Sequence, residues 1–206
     1  MGAASEAPEV RAATRAEWRA WLAAHHATSG TIWLVYPKKD TPGVDRSDPA
    51  QALTYDALVE EALCFGWVDS VPRKRDDGWA MLRVSPRKPG SGWSALNKAR
   101  VARLEAAGRM TTAGRAAVDA AKADGSWTAL DATEALEVPD DLARALHTDR
   151  EAARHFAAFP PRSRKNILQW IAAAKRPETR AQRVATTVAE AAVNRRANHY
   201  RRPGAP

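Results

Sequence analysis

The side chains best suited to chemistry in this chain are cations, an amide and tryptophans concentrated between residues 60 and 103. In the helix predicted there, Trp93, Asn97, Arg100 and Leu104 fall on one narrow stripe at about 100° per residue. A stripe that faces a core does not normally place an amide and a guanidinium between a tryptophan and a leucine, because buried polar groups need partners. Asn97 and Arg100 are therefore predicted to bind either groups of the protein itself or a polar ligand.

The segment before this stripe, residues 86–92, is basic and rich in small residues. Arg87 and Lys88 stand beside the backbone N–H groups of Gly90 and Ser91, which lead into a predicted helix N-terminus. This combination suits an anion such as a phosphate or a carboxylate, although the glycine spacing matches no phosphate-loop motif. The alternative is that the basic loop pairs with acidic residues of the same chain, and the sequence leaves both interpretations open.

Two carboxylates precede the basic loop. Asp69 shares a predicted strand face with Trp67, and we expect it either to pair with Arg83 across a hairpin or to act as a general acid or base. Glu61 lies near the apolar face of the preceding helix and is the better second carboxylate, with a solvated helix face as the alternative. If the protein is an enzyme, Asp69 is the candidate for proton transfer and Glu61 for its support.

Composition excludes several other chemistries. Cys64 is the only cysteine, so there is no internal disulfide framework, and its position at a helix end predicts a small buried hydrophobe. The five histidines lack the i, i+4 spacing typical of a zinc pair, and no dinucleotide or nucleophile motif is present. We expect no metal and no cofactor. Since no membrane-spanning run or signal peptide is found, we also expect a cytoplasmic protein.

The hydrophobic periodicity predicts an α+β fold that is mostly helical, with a small antiparallel sheet and helices followed by a C-terminal helical unit. Helices are predicted from Thr14, from Thr54 and over residues 91–107, with strands at 31–36, 67–71 and 79–85. A loop rich in proline and aspartate occupies residues 40–49. The predicted divisions are a mobile tail (1–13), an α+β ligand-pocket unit (14–126), a C-terminal helical unit packed on it (127–194) and a basic tail (195–206).

Several segments together carry a family resemblance. They are EALCFGWVD at 61–69, RVSPRK at 83–88 and SGWSALNK at 91–98, followed near the C-terminus by Ser163-Arg164, Trp170-Ile171, Ala174-Lys175 and Glu178-Thr179-Arg180. Over roughly residues 15–190 the chain resembles the YdeI/OmpD-associated family of bacterial proteins, also called bacteriocin-protection or OmdA-type proteins. The resemblance implies tolerance of bacteriocins or cationic antimicrobial peptides, and thus a role in antibiotic resistance or stress response.

The leading hypothesis is a pocket for a small anionic or polar molecule, or an antibiotic, between the predicted hairpin and the following helix. Its predicted ligand-binding residues are Trp67, Arg83, Arg87, Ser91, Trp93, Asn97 and Arg100, with the two tryptophans as walls. A basic protein with a net charge of +8 is expected to repel a cationic peptide, which favours an anionic small molecule. Whether such a molecule is only bound or also modified stays open, and so does the oligomeric state.

Two alternatives follow from charge and helix content. Residues 69–109 hold ten Lys or Arg against four Asp or Glu, and residues 162–190 hold seven against two. Nucleic acid is the first alternative partner, through Lys74, Arg75, Lys88, the 162–183 block and the 195–202 tail, although no nucleic-acid motif is present. The second alternative is a helical protein-interaction module at residues 139–194.

Overall fold

The structure is a computed structural model that describes residues 7–39, 41–42, 48 and 52–198. The chain divides into two compact units, residues 1–128 and residues 129–206. Helices dominate both the described chain and its second unit, and one small sheet lies in the first unit. The predicted α+β, mostly helical fold class is confirmed. Most of the predicted 40–49 loop lies outside the described residues.

The described elements of the first unit follow the predicted order with one addition at the start. They are β1 (Glu9–Arg11), α1 (Arg15–His25), β2 (Ile32–Pro37), α2 (Tyr55–Cys64), β3 (Trp67–Lys74), β4 (Trp79–Pro86), α3 (Ala95–Ala106) and α4 (Thr112–Ala123). Thr14 and Thr54 cap α1 and α2 as predicted, since each side-chain oxygen accepts a backbone N–H three residues later. Gly66 ends α2 with a φ of 74°, which a glycine adopts without strain.

The sheet has the strand order β1-β2-β4-β3. β4 is antiparallel to both β2 and β3, but β1 is parallel to β2, so the sheet is mixed where an antiparallel one was predicted. The predicted mobile tail at 1–13 is wrong for its second half, because Glu9–Arg11 forms β1 and Ala12 is buried. Residues 1–6 lie outside the described residues.

The two faces of the sheet have different neighbours. The face that packs with the helices in the main core carries Ile32, Leu34, Leu82 and Val84. The opposite face carries the smaller cluster of Trp33, Val35 and Met81. This alternation follows from the two-residue period of a strand, and β3 loses it at a register shift between Asp69 and Pro72.

The start of α3 differs from the prediction. The helix begins at Ala95, and the Ser94 side chain caps it by accepting the N–H of Asn97. Trp93 therefore lies in the preceding loop and not on the predicted helical stripe, so only Asn97, Arg100 and Leu104 share that helix. With Ser94 as its cap, α3 begins four residues later than the predicted start at residue 91.

All strand and helix elements in the described residues of the second unit are helices. Its elements are α5 (Asp131–Glu134), α6 (Asp140–His147), α7 (Arg150–Ala158), α8 (Pro161–Ala172) and α9 (Pro177–Ala192). Their buried side chains form a core of their own, composed of Leu142, Leu146, Ala152, Phe156, Phe159, Ile167, Leu168, Ile171, Val184, Ala191 and Ala197. None of the described helices is both long and apolar enough to cross a membrane.

Asp149 caps α7, because its carboxylate accepts the N–H of Ala152. The second unit differs from the prediction in two places. The short helix α5 was not predicted. The predicted basic tail begins too early, since Ala197 is 5% exposed and belongs to the core, while residues 199–206 lie outside the described part of the chain.

Candidate functional site

The loop between β4 and α3 is held in place at both ends. The N–H of Arg87 donates to the carbonyl of Gly66 at 2.9 Å. The carboxylate of Asp124, just after α4, accepts the N–H of Gly90 at 3.0 Å and the N–H of Ser126 at 2.8 Å. A hydrogen bond with the Ser126 side chain, together with these backbone bonds, lowers the pKa of Asp124, so it is ionised at neutral pH. The basic loop is therefore a fixed wall facing the end of α4.

The guanidinium of Arg87 lies over the indole ring of Trp93. Its carbon Cζ is 3.7 Å from the centre of the indole ring, and its Nη1 donates to the carbonyls of Ser91 at 3.2 Å and Gly92 at 3.1 Å. Trp93 is fully buried and packs against Trp127, whose ring centre lies 5.0 Å away. A cation stacked on an indole in this way is held by the negative face of the ring.

The charge of Arg87 has no acidic partner in direct contact. Among the described residues it makes no ion pair, and burial lowers its pKa to about 10 although Asp69 acts in the opposite direction. The Nε of Arg87 and the Nε1 of Trp93 are buried without a hydrogen-bond partner. An unpaired buried donor costs about 1–3 kcal/mol. Arg87 is thus a desolvated cation, and its own Nε and the Nε1 of Trp93 both lack an acceptor.

These residues line a small cleft of about 70 Å³. Its walls are Arg87, Lys88, Pro89, Gly90, Ser91, Trp93, Ala117, Ala120, Ala121, Asp124 and Ser126. Pockets that enclose whole drug-sized ligands have about 300–1,000 Å³, so this cleft admits a head group and not a large molecule. Arg87, Ser91 and Trp93 are the predicted ligand-binding residues that the structure brings together here.

Asn97 and Arg100, the residues that first suggested a pocket, are satisfied inside the protein. Arg100 is 6% exposed and donates to Asn97 Oδ1 at 2.9 Å. It also forms an ion pair with the carboxylate of Asp56. The sequence left two alternatives for these side chains, binding to groups of the protein itself or to a polar ligand. The structure shows the first, and neither Asn97 nor Arg100 lines the cleft.

Trp67, Asp69 and Arg83 also lie outside the cleft lining. Trp67 is 1% exposed, and its Nε1 donates to the carbonyl of His26 at 3.2 Å, which places it in the core. Asp69 is in register with Val84, and its carboxylate accepts the hydroxyl of Tyr55 at 2.6 Å. The expected ion pair of Asp69 with Arg83 is therefore replaced by a tyrosine hydrogen bond, and the Arg83 side chain is exposed.

Glu61 is the centre of an arginine cluster that the sequence did not predict. It is fully buried, so the alternative of a solvated helix face is wrong. Its carboxylate accepts Arg15 Nε at 2.6 Å, Arg19 Nη1 at 2.7 Å and a third bond from Arg109. The neighbouring Glu60 accepts Arg15 at 2.8 Å and Arg103 at 3.2 Å. The cluster joins α1, α2 and the segments around α3.

Cys64 and several of the cations suggested for nucleic acid lie outside the cleft lining. Cys64 is buried as predicted, and burial raises its thiol pKa. Among the cations suggested for nucleic acid, Lys74 pairs with Asp77 and Arg75 with Glu9. Lys165 and Arg180 pair with Glu134 and Asp141. Within the described residues there is no group of three or more metal-binding side chains.

With this geometry in view, the first unit is a small α+β domain with a tryptophan-backed cationic cleft. Residues 10–117 match the family described as Domain of unknown function (DUF8412). Since this match covers more than half of the 206 residues, the chain belongs to that family.

A second family matches the other unit. Residues 135–194 match the family described as Bacteriocin-protection, YdeI or OmpD-Associated (OmdA), which confirms the resemblance there. The segments at 61–98, which also suggested it, fall within the first match instead. Searches of curated proteins and of solved structures found no match.

Proposed function

We propose that this chain is a resistance-related binding protein whose first unit binds a small molecule by an anionic head group in the Arg87–Trp93 cleft. The observation that carries the proposal is the position of Arg87. Its guanidinium is stacked on a buried indole, faces an open cleft and has no carboxylate in contact among the described residues. A protein normally pairs such a cation, so the missing anion is supplied by a ligand.

The charge and size of the cleft define the head group. Arg87 and Lys88 contribute two positive charges, and Asp124 contributes one negative charge. A single negative charge therefore neutralises the site, which favours a carboxylate over a dianionic phosphate. A volume of about 70 Å³ accommodates such a group, while the remainder of the molecule extends into solvent.

Binding, and not turnover, is the activity that the arrangement supports best. Neither Asp69 nor Glu61, the two carboxylates considered for acid–base chemistry, lines the cleft. The carboxylate of Asp69 accepts a hydrogen bond from Tyr55, and that of Glu61 accepts hydrogen bonds from three arginines. A general base must reach the proton that it abstracts, which disfavours both residues in this role.

The connection with resistance comes from the second unit. Its match to a family named for bacteriocin protection supports a protective role, and the net charge of +8 disfavours direct capture of a cationic peptide. Sequestration of a small carboxylated compound by the first unit is the form of protection that the two observations favour together.

Calorimetry and thermal unfolding with sodium acetate, propionate and phosphate test the proposal. We expect saturable binding and a rise in Tm with the carboxylates, because a ligand of the folded state stabilises it. The variant Arg87→Met keeps an unbranched apolar stem on Trp93 and is expected to lose the response. Arg83→Met is the matched control, since Arg83 is exposed and lies outside the cleft. Equal responses of the two variants, or no response of the wild type, would contradict the proposal.

A further inference from the structure

A larger cavity, separate from the Arg87–Trp93 cleft, opens where β2 and β4 continue past the start of α2. Its volume is about 390 Å³, and it is lined by Tyr36, Pro37, Lys38, Lys39, Leu53, Thr54, Tyr55 and Ala80. Tyr36 and Ala80 are paired in register across the two strands, and Tyr36 packs against the main core. The cavity is therefore an open end of the apolar face of the sheet, and its size is that of a small-molecule pocket.

Two tyrosine rings form its aromatic walls. Tyr55 is 45% exposed, and its hydroxyl is fixed by donation to Asp69 at 2.6 Å. Burial and this bond raise the pKa of Tyr55 to about 12, and burial also raises the pKa of Tyr36. Both rings are thus neutral at physiological pH. A flat aromatic group packs well against such surfaces.

Two lysines contribute positive charge to the cavity. None of the described residues that line it is acidic. Lys38 donates to the backbone carbonyls of Asp76 and Asp77, whereas Lys39 is exposed and makes no ion pair within the described residues. Nearby Asp69 and Asp56 are bonded to Tyr55 and Arg100. Lys39 is therefore the group available to an acidic substituent.

We propose that this cavity binds a flat aromatic molecule that carries one acidic group, with its rings against Tyr36 and Tyr55 and its acid at Lys39. The proposal is independent of the Arg87–Trp93 cleft, because the two sites share no lining residue. The apolar walls at Leu53 and Ala80 supply the burial that holds the rings, and Lys39 supplies the preference for an anion.

The probe is 8-anilinonaphthalene-1-sulfonate, which has this chemistry, with neutral N-phenyl-1-naphthylamine as its uncharged counterpart. Calorimetry on the full chain is expected to give one saturable site for the sulfonate.

Ala80→Trp fills the cavity and is expected to weaken binding at least about tenfold. Lys39→Gln is expected to weaken it about two- to fivefold, as loss of an exposed ion pair does, and Lys39→Arg to restore it. Arg87→Met should leave the affinity unchanged.

Circular dichroism establishes that each variant is folded. If Ala80→Trp is not, Tyr55→Ala decides, since it removes an exposed wall and is expected to weaken binding at least about fivefold. Absence of a saturable site, or full affinity in the folded wall variants, overturns the proposal. Equal affinity for the neutral amine, with no effect of Lys39→Gln, overturns the requirement for an acid. Loss of binding in Arg87→Met assigns the probe to the other cleft and likewise overturns it.

Discussion

The guanidinium of Arg87 lies 3.7 Å from the ring centre of Trp93, and no carboxylate of the described chain forms an ion pair with it. Stacking on the indole partly compensates the loss of hydration, but it does not supply a counter-charge. The charged form of Arg87 is therefore destabilised by burial. An anion bound in the cleft would supply the missing counter-charge. This relationship distinguishes Arg87 from Arg100, which is seven residues from Trp93 in sequence but is paired with Asp56.

Acetate affinity is expected to depend on pH through Arg87. Because burial lowers the pKa of Arg87 to about 10, the cation persists at neutral pH, and affinity should fall about tenfold per pH unit above that value. Calorimetry between pH 8 and pH 11 measures this profile. Titration of Arg87 itself does not unfold the unit in this window, since its lowered pKa means that proton loss favours the folded state.

The matched control for this profile is Lys88→Gln, which removes the adjacent exposed cation of the same cleft. Its affinity is expected to decline over the same pH range as that of the wild type, because Arg87 is unchanged. If the decline disappears in Lys88→Gln, the pH dependence does not come from Arg87 and the assignment fails.

Glu61→Gln is expected to destabilise the first unit by about 3 kcal/mol, because it leaves three arginines around a buried neutral amide. The value is at the low end for a buried pair, since the side chains of Arg19 and Arg109 are 36% and 37% exposed. Urea unfolding monitored by tryptophan fluorescence gives the change in unfolding free energy. The neighbouring variant Glu60→Gln, with an 18% exposed carboxylate, is expected to cost about 1 kcal/mol.

These paired variants also separate structure from catalysis. A Glu61→Gln protein as stable as Glu60→Gln would mean that the arginine cluster does not hold the helices together. In that case the earlier interpretation of Glu61 as a functional carboxylate would gain support.

Gly114→Ala is expected to cost about 3 kcal/mol through overpacking. A Cβ on Gly114 of α4 would stand 2.2 Å from the carbonyl oxygen and 2.7 Å from the carbonyl carbon of Cys64 at the end of α2. Both are backbone atoms, so the two helices must separate. Gly30→Ala is the control, because its Cβ meets nothing within 4 Å, and it should be neutral or slightly stabilising. Similar urea midpoints for both variants would show that α4 and α2 are not in this close contact.

The sequence predicted most helices of the first unit because their caps and apolar faces are local signals. Thr14, Thr54 and Gly66 mark helix ends within a few residues of the pattern that they terminate. Strand β1 escaped prediction because Glu9–Arg11 is three residues long and has no apolar alternation. A strand of this kind is defined by its pairing with β2, and this pairing cannot be predicted from the residues of β1 alone.

The candidate site was predictable only in part, for the same reason. The basic loop with Arg87, Ser91 and Trp93 is contiguous in sequence, and it lines one cleft. The partners of Glu61 are 42 to 48 residues away along the chain, and Asp56 is 44 residues from Arg100. One signal for the cluster was present, since a glutamate on the apolar face of a helix requires cations from another element.

Arg180 controls the pKa of Asp141 in the second unit, and its removal is expected to change the acid response of that unit. The Arg180 Nε and Nη2 donate to the two carboxylate oxygens at 2.6 Å and 2.9 Å, which lowers the pKa of Asp141 below its ordinary value of 3.8. Because a lowered carboxylate pKa contributes stability above its unfolded value, this contribution is present at neutral pH and is lost as the pH falls through the folded pKa. In Arg180→Gln we expect the Asp141 pKa, measured by carboxyl carbon NMR, to rise toward 3.8.

The same variant should lose about 1 kcal/mol of stability at pH 7, a modest value because both side chains are 34% exposed. Its stability should converge with that of the wild type in strong acid, where Asp141 is protonated in both. Arg154→Gln removes the arginine from a more exposed ion pair with Glu151 and should leave stability unchanged. An unshifted Asp141 pKa in Arg180→Gln would mean that the bidentate pair does not form in solution. A shift with no loss of stability at pH 7 would require the variant to be more stable than the wild type in strong acid, which contradicts the expected convergence.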